Sequence, residues 1–120
     1  MLKNILLVGA GGAAGSVLRY LISLGVGSRE FPYATLTVNI IGSFFIGLFF
    51  AYSLRHEVFQ NNWKLFLTTG VCGGFTTFSA FSLENLQLLQ NGKYFTAIIY
   101  IMLSLVICFA VAALGYKLAD

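Results

Sequence analysis

The sequence predicts an all-α membrane protein with four transmembrane helices in a single domain. Of its 120 residues, 58% are hydrophobic and only 9% are charged, whereas a soluble domain carries about 25% charged residues. A membrane-spanning helix needs roughly 20 apolar residues, and four stretches reach that length. We expect helices at about 4–26, 32–54, 64–89 and 94–117, which together occupy nearly all of residues 1–120.

The first predicted helix carries a face of small residues and one positive charge. Gly11 and Gly15 form a GxxxG pair, and small residues let helix backbones approach closely in lipid. We interpret this face as a helix-packing surface. Arg19 lies inside the same helix, about two turns from its predicted end. Its side chain either anchors the helix at the membrane interface or lines a water-filled vestibule that attracts anions.

The second predicted helix follows Pro32, a residue suited to a first helical turn. Asn39 lies about a turn and a half inside it, and a buried amide without partners costs on the order of several kcal/mol. Ser43 and Gly47 continue the same face at four-residue intervals. Asn39 is therefore equally well explained as a contact between helices and as a residue that lines a pore.

The third predicted helix contains a stretch that opposes helix formation, GVCGGFTTFSAFS at residues 70–82. Gly73 and Gly74 are poor helix formers, and adjacent threonines compete for backbone hydrogen bonds. We expect the helix to be broken there. Irregular backbone survives at membrane depth only inside protein or against water or an ion, and freed carbonyls bind hard cations. The break therefore suggests a bound cation near residues 73–77.

Two phenylalanines follow the break, and the fourth predicted helix adds a stripe of polar residues. Phe78 and Phe81 are three residues apart and share a helical face, and the edge of a phenyl ring is electropositive. Tyr100, Ser104 and Cys108 recur every four residues. Neutral donors and ring edges replace an anion's hydration shell without a fixed charge that would trap the ion. This combination predicts a pore for a small ion, although packing explains each residue taken singly.

The positive charges predict the orientation only weakly. One side of a four-helix topology carries Lys3, Arg55, Lys64 and Lys117, and the other carries Arg29 and Lys93 with Arg19 nearby. Because this positive-inside bias is small, the chain either inserts in both orientations, which permits an antiparallel homodimer, or inserts one way by a small margin.

Three segments resemble the signature segments of the Fluc/CrcB fluoride channels across nearly the whole chain. These are GGAAGSVLRY at 11–20, ATLTVNIIGSFFIG at 34–47 and GVCGGFTTFSAFSLE at 70–84. The resemblance implies a four-helix subunit that pairs as an antiparallel, dual-topology homodimer in the bacterial plasma (inner) membrane. It also implies passive export of fluoride through two pores.

The resemblance further implies roles for particular residues. Phe78 and Phe81 match the family's aromatic box, and Asn39 matches its pore asparagine. Tyr100 and Ser104 match the start of a polar track, with Cys108 where a hydroxyl is common. Other matches are Arg19, at the vestibule, and Gly73 and Thr76, whose backbone carbonyls hold a structural sodium ion at the dimer interface.

Three other functions are weaker interpretations. A small multidrug proton antiporter needs an ionisable carboxylate inside a span, and Glu84 is expected only at the end of the third. A subunit of a larger membrane complex would leave the Thr-Thr-Phe-Ser cluster at 76–79 unexplained. An enzyme is not expected, because one histidine and four scattered acids form no catalytic group, and no nucleic-acid partner is expected.

Overall fold

The computed structural model describes residues 1–27 and 30–120, and the described residues form helices without a strand. Among these described residues, four helices are long and apolar enough to cross a membrane: span 1 (Leu2–Val26), span 2 (Tyr33–Arg55), span 3 (Asn62–Gln90) and span 4 (Tyr94–Ala119). The predicted all-α fold with four membrane-spanning helices is therefore confirmed. Arg29, which entered the charge comparison, lies outside the described residues.

Small residues position the spans in two closely packed pairs. Span 1 packs on the first half of span 3, where Gly11 and Gly15 are buried. A Cβ atom on Gly15 would meet the Val71 carbonyl oxygen, and one on Gly11 would lie 2.6 Å from the Phe66 oxygen. The predicted packing role of this face is therefore confirmed. Spans 2 and 4 make the second pair, where a Cβ on Gly47 would meet the backbone of Ala112.

Span 3 changes its backbone conformation several times along its length. It begins as a helical turn at Asn62–Lys64, continues as π-helix over Leu65–Cys72 and returns to one helical turn at Gly73–Phe75. Thr76 and Thr77 are extended, and a regular helix then runs over Phe78–Gln90. The wide π-helical winding is rare and often found near functional sites. The two extended threonines divide the span into segments that face different neighbours.

Two short connections meet at one end of the molecule. Before span 2, the Tyr33 amide donates to the Phe31 carbonyl at 2.8 Å across Pro32, whose φ of −79° and ψ of 67° form an inverse γ-turn. Before span 4, Gly92 has a φ of 76°, and the Lys93 amide donates to the Leu88 carbonyl at 2.8 Å. Glycine suits this left-handed position because it has no Cβ. These turns place Phe31 and Lys93 at the same end as the C-terminal half of span 3.

Candidate ion-conducting site

Asn39 holds the extended backbone in the middle of span 3. Its side-chain Nδ2 donates to the Thr77 carbonyl oxygen at 3.1 Å, and the Thr77 amide donates to Asn39 Oδ1 at 2.9 Å. These paired bonds satisfy backbone groups that otherwise lie without partners at membrane depth. The structure thus assigns Asn39 a contact between helices, which is one of the two roles its sequence position left open. One hydrogen of the Asn39 amide remains beyond the bond to Thr77.

The same bonds redirect the amides that would close a continuous helix. In such a helix, the Thr77 amide would donate to the Gly73 carbonyl and the Ala80 amide to the Thr76 carbonyl. The Thr77 amide donates instead to Asn39, and the Ala80 amide donates to the Thr77 hydroxyl at 3.1 Å. The carbonyls of Gly73 and Thr76 are thereby released from these helical bonds. Backbone carbonyl oxygens are ligands that hard cations prefer, so the donor chemistry fits a sodium ion.

Arg19 lies near the extended threonines of span 3. Its Nε donates to the Gly74 carbonyl oxygen at 3.2 Å, and the Ser16 hydroxyl donates to the same oxygen at 3.5 Å. The side chain is half-buried. Span 1 thus supplies hydrogen-bond donors to the Gly74 carbonyl, which lies at the end of a helical segment. A role for Arg19 in a vestibule stays a prediction.

Four aromatic rings pack in a row, which we call the aromatic column: Phe31, Tyr100, Phe81 and Phe78. Phe81 packs against Tyr100, which is fully buried, with 5.0 Å between their ring centroids. On the other side of Tyr100, the Phe31 ring lies 5.5 Å away in an edge-on arrangement. The Phe78 ring lies 5.5 Å from Phe81 but is 76% exposed. The structure therefore places Phe81 half-buried against Tyr100 and Phe78 on the surface of the subunit.

Glu84 joins the column through two hydroxyl groups. Tyr100 Oη donates to Glu84 Oε1 at 2.9 Å, and Thr35 Oγ1 donates to Glu84 Oε2 at 2.8 Å. Glu84 was expected only at the end of the third span; in the structure the helix continues past it to Gln90, and the residue is half-buried.

Sequence reasoning missed three residues of this group: Phe31, Thr35 and Glu84. For two of them, the spacing in the sequence indicates a shared helical face with a predicted site residue. Thr35 lies four residues before Asn39, so it extends the polar face of span 2 by one turn. Glu84 lies three residues after Phe81 and shares its face of span 3. Phe31 precedes the span, and no periodicity indicates its position.

The remaining predicted residues meet at a cavity of about 340 Å³ beside the extended threonines, which we call the polar cavity. Ser104 is buried there, and its hydroxyl has no hydrogen-bond partner among the described residues. No charged side chain lies among the described residues around this cavity. It is lined by Asn39, Gly42, Ser43, Ile46, Thr76, Thr77, Phe78, Phe81, Ser104, Leu105 and Cys108.

The polar cavity combines neutral hydrogen-bond donors with aromatic and aliphatic walls. Ser104 and Cys108 reach it from span 4, and Asn39 and Ser43 reach it from span 2. Across the described residues, no three His, Cys, Asp or Glu side chains are grouped to hold a metal ion. The arrangement suits a small anion that accepts hydrogen bonds, since an anion needs donors where water has been removed.

Comparison with known proteins gives one consistent family. Residues 6–116 match the model of the family described as CrcB-like protein, Camphor Resistance (CrcB). A relative from Azobacteroides pseudotrichonymphae is 47% identical, over 100% of this chain and 98% of its own length. A relative from Phocaeicola vulgatus is 43% identical over 99% of this chain and 100% of its own length. Rhizobium meliloti has one that is 50% identical over 86% of this chain and 85% of its own length. All three carry the name fluoride-specific ion channel FluC.

Proposed function

Because this chain belongs to the CrcB family, we propose that it is a fluoride-selective ion channel which exports fluoride passively, down its electrochemical gradient. The relatives named fluoride-specific ion channels match it over nearly its full length. It is an ion-transport protein that crosses the membrane several times and not an enzyme. For its location we propose the bacterial plasma (inner) membrane, which the bacterial origin of these relatives supports.

The observation that carries this proposal is the unpartnered hydroxyl of Ser104 in the polar cavity. A buried hydroxyl without a partner costs on the order of 1–3 kcal/mol, so a fold that keeps one there favours a ligand that accepts its hydrogen bond. The free hydrogen of the Asn39 amide and the edge of the Phe81 ring offer further positive groups around the same space. Their neutrality lets an anion leave again, which conduction requires.

Two further residues would extend this path within the subunit. The Tyr100 hydroxyl is engaged by Glu84, so fluoride would share or displace that bond on passing. Arg19 would supply positive charge near the broken helix, where its guanidinium already contacts the Gly74 carbonyl. A guanidinium is always protonated, so this charge would concentrate anions in a water-filled vestibule.

The functional unit in this proposal is an antiparallel, dual-topology homodimer with two pores. The small difference in positive charge between the two sides supports insertion in both orientations. The 76% exposure of Phe78 supports a second copy that covers its ring and completes each pore. Phe78 and Phe81 would then act from the two sides of one passage, each with a ring edge toward the ion.

A structural sodium ion at the dimer interface is part of the same proposal. The carbonyl oxygens of Gly73 and Thr76 would hold it, and both have lost the amides that would bond them in a continuous helix. Gly73 is exposed on the single subunit, so a second copy would bring its own carbonyls to the same ion. Sodium supplies positive charge that offsets the partial negative charge of the freed carbonyls.

The test is fluoride release from liposomes that contain the purified protein. We expect fluoride to leave rapidly down its gradient while chloride is retained, and equal release of both ions would refute fluoride selectivity. Glu84 is the one observation that favours proton-coupled transport, because that chemistry needs a carboxylate in the membrane. A passive channel releases fluoride at the same rate with or without an imposed proton gradient, whereas an antiporter does not.

A further inference from the structure

A second cavity, of about 300 Å³, opens at the end of the molecule where spans 3 and 4 are joined. We call it the mouth cavity. Glu84 and Phe31 line it, and both contact Tyr100. Phe81, which contacts Tyr100 from the other direction, lines the polar cavity. The mouth cavity therefore lies at the outer end of the aromatic column, with Tyr100 between it and the polar cavity.

The charged side chains around the mouth cavity are two carboxylates and one ammonium group, among the lining residues that the structure describes. They are Glu30, Glu84 and Lys93. These three groups sum to a net charge of −1 with Lys93 and of −2 without it, so removal of Lys93 strengthens the repulsion of an approaching anion. The ammonium group is the positive charge that favours an anion at this opening and offsets part of the repulsion from the carboxylates.

Lys93 is held at this opening by the turn before span 4. Its amide donates to the Leu88 carbonyl at 2.8 Å, and Gly92 provides the left-handed residue of the turn. Lys93 immediately precedes the first residue of span 4, so its charge adds to the positive end of that helix dipole. Both contributions favour an anion at the same place.

Glu30 is the ion-pair partner of Lys93. Lys93 Nζ donates to Glu30 Oε1, and the two side chains are 41% and 65% exposed. A pair this exposed is weak and exchanges readily with solvent. An ammonium group has three donors, so an arriving anion can share it with Glu30 while the group stays hydrated. Such a site binds anions weakly and releases them readily.

We propose that Lys93 is the charge that attracts fluoride to the mouth cavity, and that Glu30 is a counter-ion that weakens this attraction. The proposal rests on the proposed function and deepens it, because it assigns anion capture to one ion pair outside the polar cavity. Neither residue lies among the aromatic column or the residues that line the polar cavity.

The test measures initial fluoride release from liposomes at fluoride concentrations low enough for capture to limit the flux. At about 10 mM ionic strength, where the Debye length is about 30 Å, we expect Lys93→Gln to lower the flux about three- to tenfold. Glu30→Gln should raise it about two- to threefold. Both differences should disappear at about 1 M salt, where the Debye length is about 3 Å.

Two controls distinguish charge from structure. Lys93→Arg keeps the charge and should conduct as the unsubstituted protein does. Arg55→Gln removes the cation of another ion pair, which joins Arg55 to Asp120 at 3.2 Å at the far end of span 2, and should leave the flux unchanged.

The proposal is overturned if Lys93→Gln matches Arg55→Gln at low salt, or if its loss of flux persists at high salt. Glu30→Gln gives an independent answer if Lys93→Gln does not fold, since an unchanged or lower flux contradicts its role as a counter-ion. Failure of the channel function itself has a different signature, because the unsubstituted protein would then release no fluoride.

Discussion

Ser104→Ala tests whether the polar cavity is built for an ion or only for packing. The substitution removes a buried hydroxyl that has no partner among the described residues, and no hydrogen bond to a described residue is lost with it. An unsatisfied buried hydroxyl costs about 1–3 kcal/mol. We therefore expect Ser104→Ala to fold with equal stability, or to be more stable by about 1 kcal/mol.

The same substitution should strongly impair fluoride conduction. A hydrogen bond to a charged group contributes about 1.5–3 kcal/mol, and each 1.4 kcal/mol corresponds to a factor of ten. Loss of this donor should therefore lower fluoride release from liposomes about ten- to hundredfold. Ser104→Cys should release fluoride at a rate between those of Ser104→Ala and the unsubstituted protein, because a thiol is a weaker donor than a hydroxyl.

The matched control is Ser82→Ala. The Ser82 hydroxyl is exposed and donates to the Phe78 carbonyl within its own helix at 3.0 Å, so its removal should leave fluoride release near the unsubstituted rate. Thermal unfolding in detergent gives the stability of each variant beside its flux. A destabilised Ser104→Ala variant with normal conduction would refute the reasoning, because the hydroxyl would then support the fold and not the ion.

The other predictions concern the extended backbone of span 3, the helix packing and the aromatic column. Asn39→Leu removes both bonds to the extended backbone and should lower the free energy of unfolding by about 2–4 kcal/mol. Denaturant titration measures this loss against Ser43→Ala, a control at a residue that lines the same cavity. Equal stability of the two variants would contradict the prediction. Gly15→Ala places a Cβ against the backbone of span 3 and should lower the thermal midpoint, with a cost of about 1–3 kcal/mol. Gly9→Ala, with open space around its Cβ position, should not, and similar midpoints for the two would argue against the close approach. Phe81→Ile should reduce fluoride release while the protein elutes at the same size in gel filtration, because the ring edge is lost; unchanged release would leave that ring a packing role alone.

Local pattern was sufficient for the membrane-spanning elements. The length and apolar character of each span are properties of contiguous residues, so they predicted four membrane-spanning helices directly. The glycines and threonines at 73–77 also act locally, because they weaken a helix by their own backbone preferences. Gly11 and Gly15 indicated a packing face for the same reason, since small size permits a close approach whatever the partner is.

Contacts between distant residues required the tertiary structure. Asn39 was visible as a buried amide that needs partners, but those partners are the backbone groups of Thr77, 38 residues away. The sequence pattern placed the Glu84 carboxylate at the end of the third span. Only the folded structure shows that it accepts hydrogen bonds from the hydroxyls of Thr35 and Tyr100. Phe31, in a connecting turn, reached Tyr100 only because the chain folds back there.

By itself, the sequence determined how many helices cross the membrane, where one of them has low helix propensity and which neutral hydrogen-bond donors the spans contain. Only the tertiary structure decided which donors bond one another and which stay free, and it packed Phe81 half-buried against Tyr100 while Phe78 remained on the surface. The physical reason is that hydropathy and helix propensity act along the chain. The rotation of each helix about its axis is decided by close packing against its neighbours.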